Sequence, residues 1–244
     1  MHAMRQILAL LPLLIASVCP AQDKPVKESD FRRMLNLGPN VKIAYRDLEC
    51  RTITFEQFVA AMRQPGQGSE VARSADSSAV TMSLHRRGGA SCPSPYGPVT
   101  EMPAFDLKDL AGRRVTSASL RGKPTLVNFY FSGCVPCILE VGPLNEFAAS
   151  RKDLQFLAVT FDEPPEAKAF VQRYKFRWRI IPDARDFIDR MGVVRYPMLA
   201  LFDAQGRLLG TRSGGVKDEL EAAAVGPSVR RWVDGLLRAQ KPSS

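Results

Sequence analysis

The chain has 244 residues, enough for one generous domain or two small ones. Its 45% hydrophobic and 24% charged residues are ordinary globular composition, which excludes a disordered or fibrous chain and allows a sizeable core. The net charge of +9 is scattered in single residues and pairs such as Arg32-Arg33 and Arg86-Arg87. There is no basic stripe and no nucleic-acid-binding motif, so a solvated basic surface is expected and nucleic acid is not expected as a partner.

Residues 1–21 read as an export signal. Arg5 precedes an apolar run from Ile7 to Val18 that is shorter than the roughly 20 residues a membrane span needs, and Ala21 offers a small residue before a cleavage point. Cleavage would remove Cys19 and leave Cys50, Cys92, Cys134 and Cys137 in a compartment where disulfides persist. Residues 22–89 read as a small α+β module. Phe31 to Leu37 and Thr54 to Met62 have helical apolar spacing, with Thr54 as cap and Pro65-Gly66 as stop, and Ala79 to Leu84 alternates as a weak strand. Residues 90–98, dense in Pro and Gly, read as a linker. Cys50 and Cys92 are candidates for a structural disulfide between module and linker, with a second redox relay as the alternative.

Residues 99–244 show a clearer pattern. Phe105 to Leu110 and Arg113 to Val115 predict a hairpin, and Thr125 to Phe131 a strand buried on both faces. A helix follows from Cys134 to Ala149, then a strand over Leu154–Phe161 and a helix over Glu166–Tyr174. A short strand at Ile180-Ile181 and a helix over Ala184–Met191 come next. Met198 to Phe202 and Arg207 to Thr211 flank a turn at Asp203-Ala204-Gln205-Gly206. The last segment, Lys217 to Gln240, is helical with a break expected at Gly226-Pro227. Alternating strands and helices closed by a hairpin predict an α/β fold with a central mixed sheet.

Cys134-Val135-Pro136-Cys137 sits where the buried strand gives way to a helix. The spacing brings both sulfurs onto the first helical turn, where unpaired N–H groups and the helix dipole favour a thiolate. Pro136 is acceptable there because first-turn amides have no intrahelical partner. Cys134, at the helix start, is expected to be the exposed nucleophile, and Cys137 the shielded thiol that resolves the mixed disulfide. A zinc site is not expected, since the only histidines are His2 and His85.

Residues 98 to 215 resemble the TlpA/ResA-like branch of thioredoxin-fold proteins, which are exported bacterial thiol–disulfide oxidoreductases. The resemblance rests on Met102-Pro103-Ala104-Phe105-Asp106-Leu107, Leu120-Arg121-Gly122-Lys123-Pro124, Leu126-Val127-Asn128-Phe129-Tyr130, the cysteine pair and Arg195-Tyr196-Pro197. It implies a thioredoxin-like fold, a cis bond before Pro197, and client peptide pairing with the backbone at Tyr196, beside Val135 and Pro136. It also implies that Glu140 matches a family glutamate that tunes the thiols; the plain alternative is a solvated carboxylate near the helix start. Two departures stand out. Gly133 replaces the usual Trp before the first cysteine, so a more open entrance is expected, and Asn128 stands where ordinary thioredoxins bury an acid.

The expected function is therefore reduction of protein disulfides in the bacterial periplasm or cell envelope. It uses no cofactor, and an upstream membrane or periplasmic donor supplies electrons. No tight membrane insertion is expected after signal cleavage. The competing readings are a disulfide donor or isomerase, a peroxiredoxin-like peroxidase, a copper chaperone and a non-catalytic binding module. Val127 and Phe131 stand where a peroxidase would need Pro and Thr, and no His follows His85 for copper.

Overall fold

A computed structural model describes residues 26–240 other than Ala75, Gly88, Ala90 and Ser91. The expected signal, 1–21, with Cys19, lies outside the described residues. In the N-terminal module, α1 (Glu28–Met34), β1 (Lys42–Arg46), β2 (Thr52–Ile53), α2 (Phe55–Met62), β3 (Gln67–Arg73) and β4 (Ala79–Arg86) follow in chain order. The sheet runs β2-β1-β4-β3, with β1 and β4 parallel. Thr54 caps α2 as expected: its Oγ1 accepts from the Gln57 N–H (3.3 Å) while Gln57 Oε1 accepts from the Thr54 N–H (2.9 Å). That start turns Phe58 into the module's core, where it is fully buried with Tyr45, Val80, Met82 and Leu84. Burial of such a ring contributes about 2–3 kcal/mol.

Of the module's strands only β4 was predicted from sequence. β3 is a largely polar, mostly half-exposed edge strand, and Arg73 at its end reaches a carboxylate on a distant helix. Cys50 and Cys92 form a disulfide with Cα atoms 5.6 Å apart, tying the β1–β2 turn to the linker.

The second unit continues with β5 (Asp106–Lys108), β6 (Arg114–Thr116), β7 (Thr125–Phe129), α3 (Val135–Ala149), β8 (Gln155–Val159), α4 (Pro164–Tyr174), β9 (Arg179–Ile181), α5 (Arg185–Arg190), β10 (Met198–Phe202), β11 (Leu208–Ser213), α6 (Glu219–Ala223) and α7 (Val225–Ala239). Its five-stranded sheet has the order β11-β10-β7-β8-β9; β7, β8 and β9 are parallel, and β10 and β11 antiparallel. All five residues of central β7 are buried. Strand alternation sends Leu126 to one face, against Val141 and Leu144 of α3, Phe170 of α4 and Val229 of α7. Val127 and Phe129 face the other way, against Phe187 and Ile188 of α5. The result is the central mixed sheet flanked by helices that the sequence predicts, with a small α+β module ahead of it.

One boundary needs correction. The break in the last helical segment falls at Ala224, between α6 and α7, not at Gly226-Pro227. Pro227 lies in the first turn of α7, where its missing N–H leaves no intrahelical bond unmade. Among the described residues, no helix is long and apolar enough to cross a membrane.

Candidate active site

The register of the central strands assembles the site. β7 ends at Phe129, which pairs with Met198, the first residue of β10. The segment leading to Cys134 and the segment ending in Pro197 therefore leave the same end of the sheet side by side. The Tyr196–Pro197 bond is cis. The turn before the cysteines is held by Asp162, whose Oδ2 accepts from the Ser132 N–H at 2.7 Å. Nothing in the sequence singles out Asp162, because its partner is a backbone amide thirty residues away.

Cys134 is the N-cap of α3 and Cys137 lies in its first turn. They are joined in a disulfide with Cα atoms 5.2 Å apart. The Cys137 N–H donates to Cys134 Sγ at 3.2 Å, so an otherwise unpaired first-turn amide already points at the sulfur that would carry a thiolate.

The expected contrast in exposure is absent: Cys134 is 4% exposed and Cys137 3%. The expectation of an open entrance at Gly133 is corrected for the same reason. An ideal Cβ at Gly133 would lie 3.5 Å from the Phe131 ring, so an aromatic from two residues upstream occupies that flank. Phe131 stacks on Phe161 with centroids 5.6 Å apart and meets Tyr196 edge-on at 5.4 Å. Phe131 and Tyr196 both pack against the core cluster that contains the two cysteines. Beside the pair, Gly133 and Val135 remain exposed, Val135 at 64%, and Pro136 is half-buried; in the loop before Pro197, Val194 is 42% exposed.

Glu140 is not the solvated carboxylate of the plain alternative. It is 2% exposed, and its Oε1 accepts from the Gly215 N–H at 3.0 Å. Burial pushes its carboxyl up from the ordinary value, against the opposing pull of the Gly215 N–H and the positive charge of Arg212. A cavity of about 150 Å³ adjoins it, lined also by Arg212, Gly215 and Val229, with room for water beside the carboxyl. Gly214 joins the parts. Its N–H donates to Pro197 O (2.8 Å), and a Cβ built on it would lie 2.9 Å from Pro197 Cγ and 2.5 Å from Glu140 Oε1. The bare backbone at Gly214 is what lets carboxylate and proline approach. Sequence reasoning passed over Gly214-Gly215 and Arg212, although a Gly-Gly pair directly after a strand was a readable sign of close approach.

Asn128 is buried in mid-β7, and its Oδ1 has no hydrogen-bond partner among the described residues. Among the described residues no group of His, Cys, Asp and Glu is arranged to hold a metal ion. The arrangement is thus a disulfide at a helix N-terminus, a proline loop beside it and one buried carboxyl able to exchange a proton.

Comparison with known proteins fits that chemistry. The AhpC/TSA family model matches residues 98–210. The thiol-disulfide oxidoreductase ResA of Bacillus anthracis is 30% identical over 126 residues, covering 50% of this chain and 73% of its own. The thioredoxin-like protein YneN of Bacillus subtilis is 27% identical over 127 residues, 50% of this chain and 75% of its own. Among solved structures, a putative thiol:disulfide interchange protein DsbE from Chlorobium tepidum superposes with a TM-score of 0.51. It is 21% identical and covers 58% of this chain and 98% of that one, a likeness of fold. The matched family segment begins at residue 98, after the N-terminal module and its disulfide.

Proposed function

The chain belongs to the ResA-like thiol-disulfide oxidoreductases of the thioredoxin-like class, and on that premise we propose that it reduces disulfides of exported proteins through Cys134 and Cys137. The observation that carries this reading is the Cys137 N–H bonded to Cys134 Sγ at the start of α3, with the cis Tyr196–Pro197 loop and buried Glu140 alongside.

In the dithiol form, the Cys134 thiolate attacks one sulfur of a client disulfide. The client's other sulfur leaves as a thiolate, and a mixed disulfide remains. Cys137 then gives up its proton and attacks Cys134 Sγ. The second client sulfur departs reduced and the Cys134–Cys137 disulfide re-forms, so two electrons have passed to the client. Glu140, with its raised affinity for a proton and its neighbouring cavity, is the group assigned to receive the Cys137 proton. The backbone at Tyr196 supplies the edge on which an extended client strand lies, and Val135, Pro136 and Val194 form the apolar surface under its side chains. An upstream thiol donor in the envelope returns the pair to the dithiol form.

The peroxidase reading finds no support at the site: Val127 is buried in β7 and Phe131 is an aromatic wall, so neither supplies the hydroxyl a peroxide pocket needs.

Trapping tests the proposal. Cys137→Ala should accumulate client proteins bound through Cys134, and the added Cys134→Ala should abolish them. Absence of trapped clients would count against protein disulfides as substrates. Equilibration with glutathione buffers tests direction. A reductant should poise towards the thioredoxin value of about −270 mV, while a potential near −120 mV would make the chain a disulfide donor.

A further inference from the structure

Among the described residues, every hydrogen bond between the N-terminal module (26–89) and the chain from residue 99 onward lands on α5 or on the loop that follows it. Arg73, the last residue of β3, has a side chain only 4% exposed. Its Nη2 donates to Asp189 Oδ2 at 3.1 Å and to Leu35 O at 3.2 Å, and its Nε lies 3.3 Å from Asp186 Oδ1. Ser77 Oγ donates to the same Asp186 Oδ1 at 2.7 Å. Further along, exposed Arg195 donates from Nη2 to Gly89 O at 2.7 Å.

The loop transmits what α5 does. At its start the Gly192 N–H donates to Asp189 O (3.1 Å) and the Val193 N–H to Ile188 O (3.2 Å), with Gly192 at φ +65°. This double closure of the helix end leaves no slack between α5 and Val193. At its end, Met198 enters the central sheet opposite Phe129. Between those fixed points lie Val194, Arg195, Tyr196 and Pro197. The module grips the helix on one side and the middle of the loop on the other.

We propose that the N-terminal module is a brace for the client-binding loop, with Arg73 and Arg195 as positioning residues that hold the Tyr196 backbone ready to receive an extended peptide. This rests on reading Tyr196–Pro197 as the peptide-binding edge. A buried ion pair such as Arg73–Asp189 is poor as simple glue, because the desolvation of both charges offsets most of their attraction, whereas it fixes geometry well. Burial pushes the Asp189 carboxyl up to about 6 even with Arg73 beside it. Replacing such a pair by apolar residues is often neutral or stabilising. The charged pair instead aligns α5 to one orientation.

The brace acts on the client side of the site and leaves the sulfur chemistry alone. Arg195→Ala, Ser77→Ala and Arg73→Met should each lower kcat/KM for a short synthetic peptide closed by one disulfide, by about tenfold for a lost positioning hydrogen bond. The loss should appear mainly in KM, and Arg73→Lys should recover part of it. Reaction with hydroxyethyl disulfide, which has no peptide backbone, and the reduction potential of Cys134–Cys137 should stay at the wild-type values. Amide exchange at residues 194–196 should quicken in all three variants.

Unchanged peptide kinetics with unchanged exchange in Arg195→Ala, at an exposed side chain, and in Ser77→Ala, which removes one hydroxyl from a half-buried turn, would overturn the brace. So would a parallel loss towards both substrates with a shifted potential, which would mean damage at the cysteines. If the wild-type protein fails to reduce the peptide at all, the proposed function fails instead, and the exchange measurement still decides the brace.

Discussion

Cys50 stands at φ +64°, a left-handed backbone position where two other turns of the same construction carry glycine. In Asp109–Arg113 and Asp203–Arg207 the Asp Oδ1 accepts from the amides two and four residues on, and Oδ2 accepts from the Arg Nε. Gly112 and Gly206 supply the positive φ. Asp47–Arg51 repeats each of these bonds, with Cys50 in the glycine's place. A side chain there costs about 1–2 kcal/mol, so the disulfide to Cys92 is the reason for keeping it. In a Cys92→Ala background, Cys50→Gly should therefore raise stability by about 1 kcal/mol in urea unfolding; no gain would mean the turn tolerates its side chain without cost. Glu140 is the opposite case, a buried carboxyl whose proposed role in the chemistry comes at the expense of stability. Its carboxyl binds a proton more tightly folded than unfolded, so ionising it costs stability as pH rises from the unfolded pKa through the raised folded one. Glu140→Gln should leave the protein at least as stable at pH 7 while slowing release from the mixed disulfide by about a hundredfold. Single-turnover release followed across pH checks this, and an unaltered pH profile would remove Glu140 from the proton step.

At the scale of elements, α3 was legible almost to the residue because its start carries chemistry: an N-cap cysteine, Pro in the first turn and a buried strand just before. The central strands of the large sheet were legible because burial on both faces demands continuous apolar, β-branched runs, and β10 and β11 because of the turn between them. β1, β2 and β3 were not. β2 is two residues long, and Gln67-Gly68-Ser69-Glu70 in β3 reads as a loop unless the chain it packs beside is already known. The cysteine pair stands out in the sequence itself, and Glu140 and Pro197 only through the family resemblance; the Gly214-Gly215 pair was a hint of close approach, whereas the contacts of Asp162, Phe131 and Gly214 could not be read. Each of these acts through a neighbour far along the chain or through a side chain filling another residue's space. Gly214 makes this testable. Ala at that position would put a methyl against Glu140 Oε1 and Pro197 Cγ, and the proline ring can retreat only by the small shift of a change in pucker. Gly214→Ala should cost about 1–3 kcal/mol of stability, the usual penalty of overpacking. It should also disturb peptide reduction through Pro197. Wild-type stability in thermal unfolding would show that the loop yields freely.

Across the whole molecule, the hydrogen bonds between the two units, among the described residues, are those of Arg73, Ser77 and Arg195, while each unit has its own apolar core. The module's core is the smaller, six buried residues around Phe58. Its Cys50–Cys92 disulfide closes a sequence separation of 42 residues that contains α2, β3 and β4. Constraining a loop of that length in the unfolded chain is worth about 4 kcal/mol in the chain-entropy model, a large share of what so small a core supplies. Replacing both cysteines by Ala should therefore split one unfolding transition into two. The module would melt first, and the unit carrying Cys134 and Cys137 would keep its own midpoint. The Cys134–Cys137 pair gives the control, because locking it oxidised or reduced should move the second transition and leave the first in place. Between the two transitions the brace is gone but the redox site is intact. Reduction of the disulfide peptide should then fall to the level of Arg195→Ala, while hydroxyethyl disulfide is still reduced at the folded rate. A single shared transition in the double-Ala protein would instead mean that the module and the thioredoxin-like unit fold as one body, bound more tightly than Arg73, Ser77 and Arg195 account for.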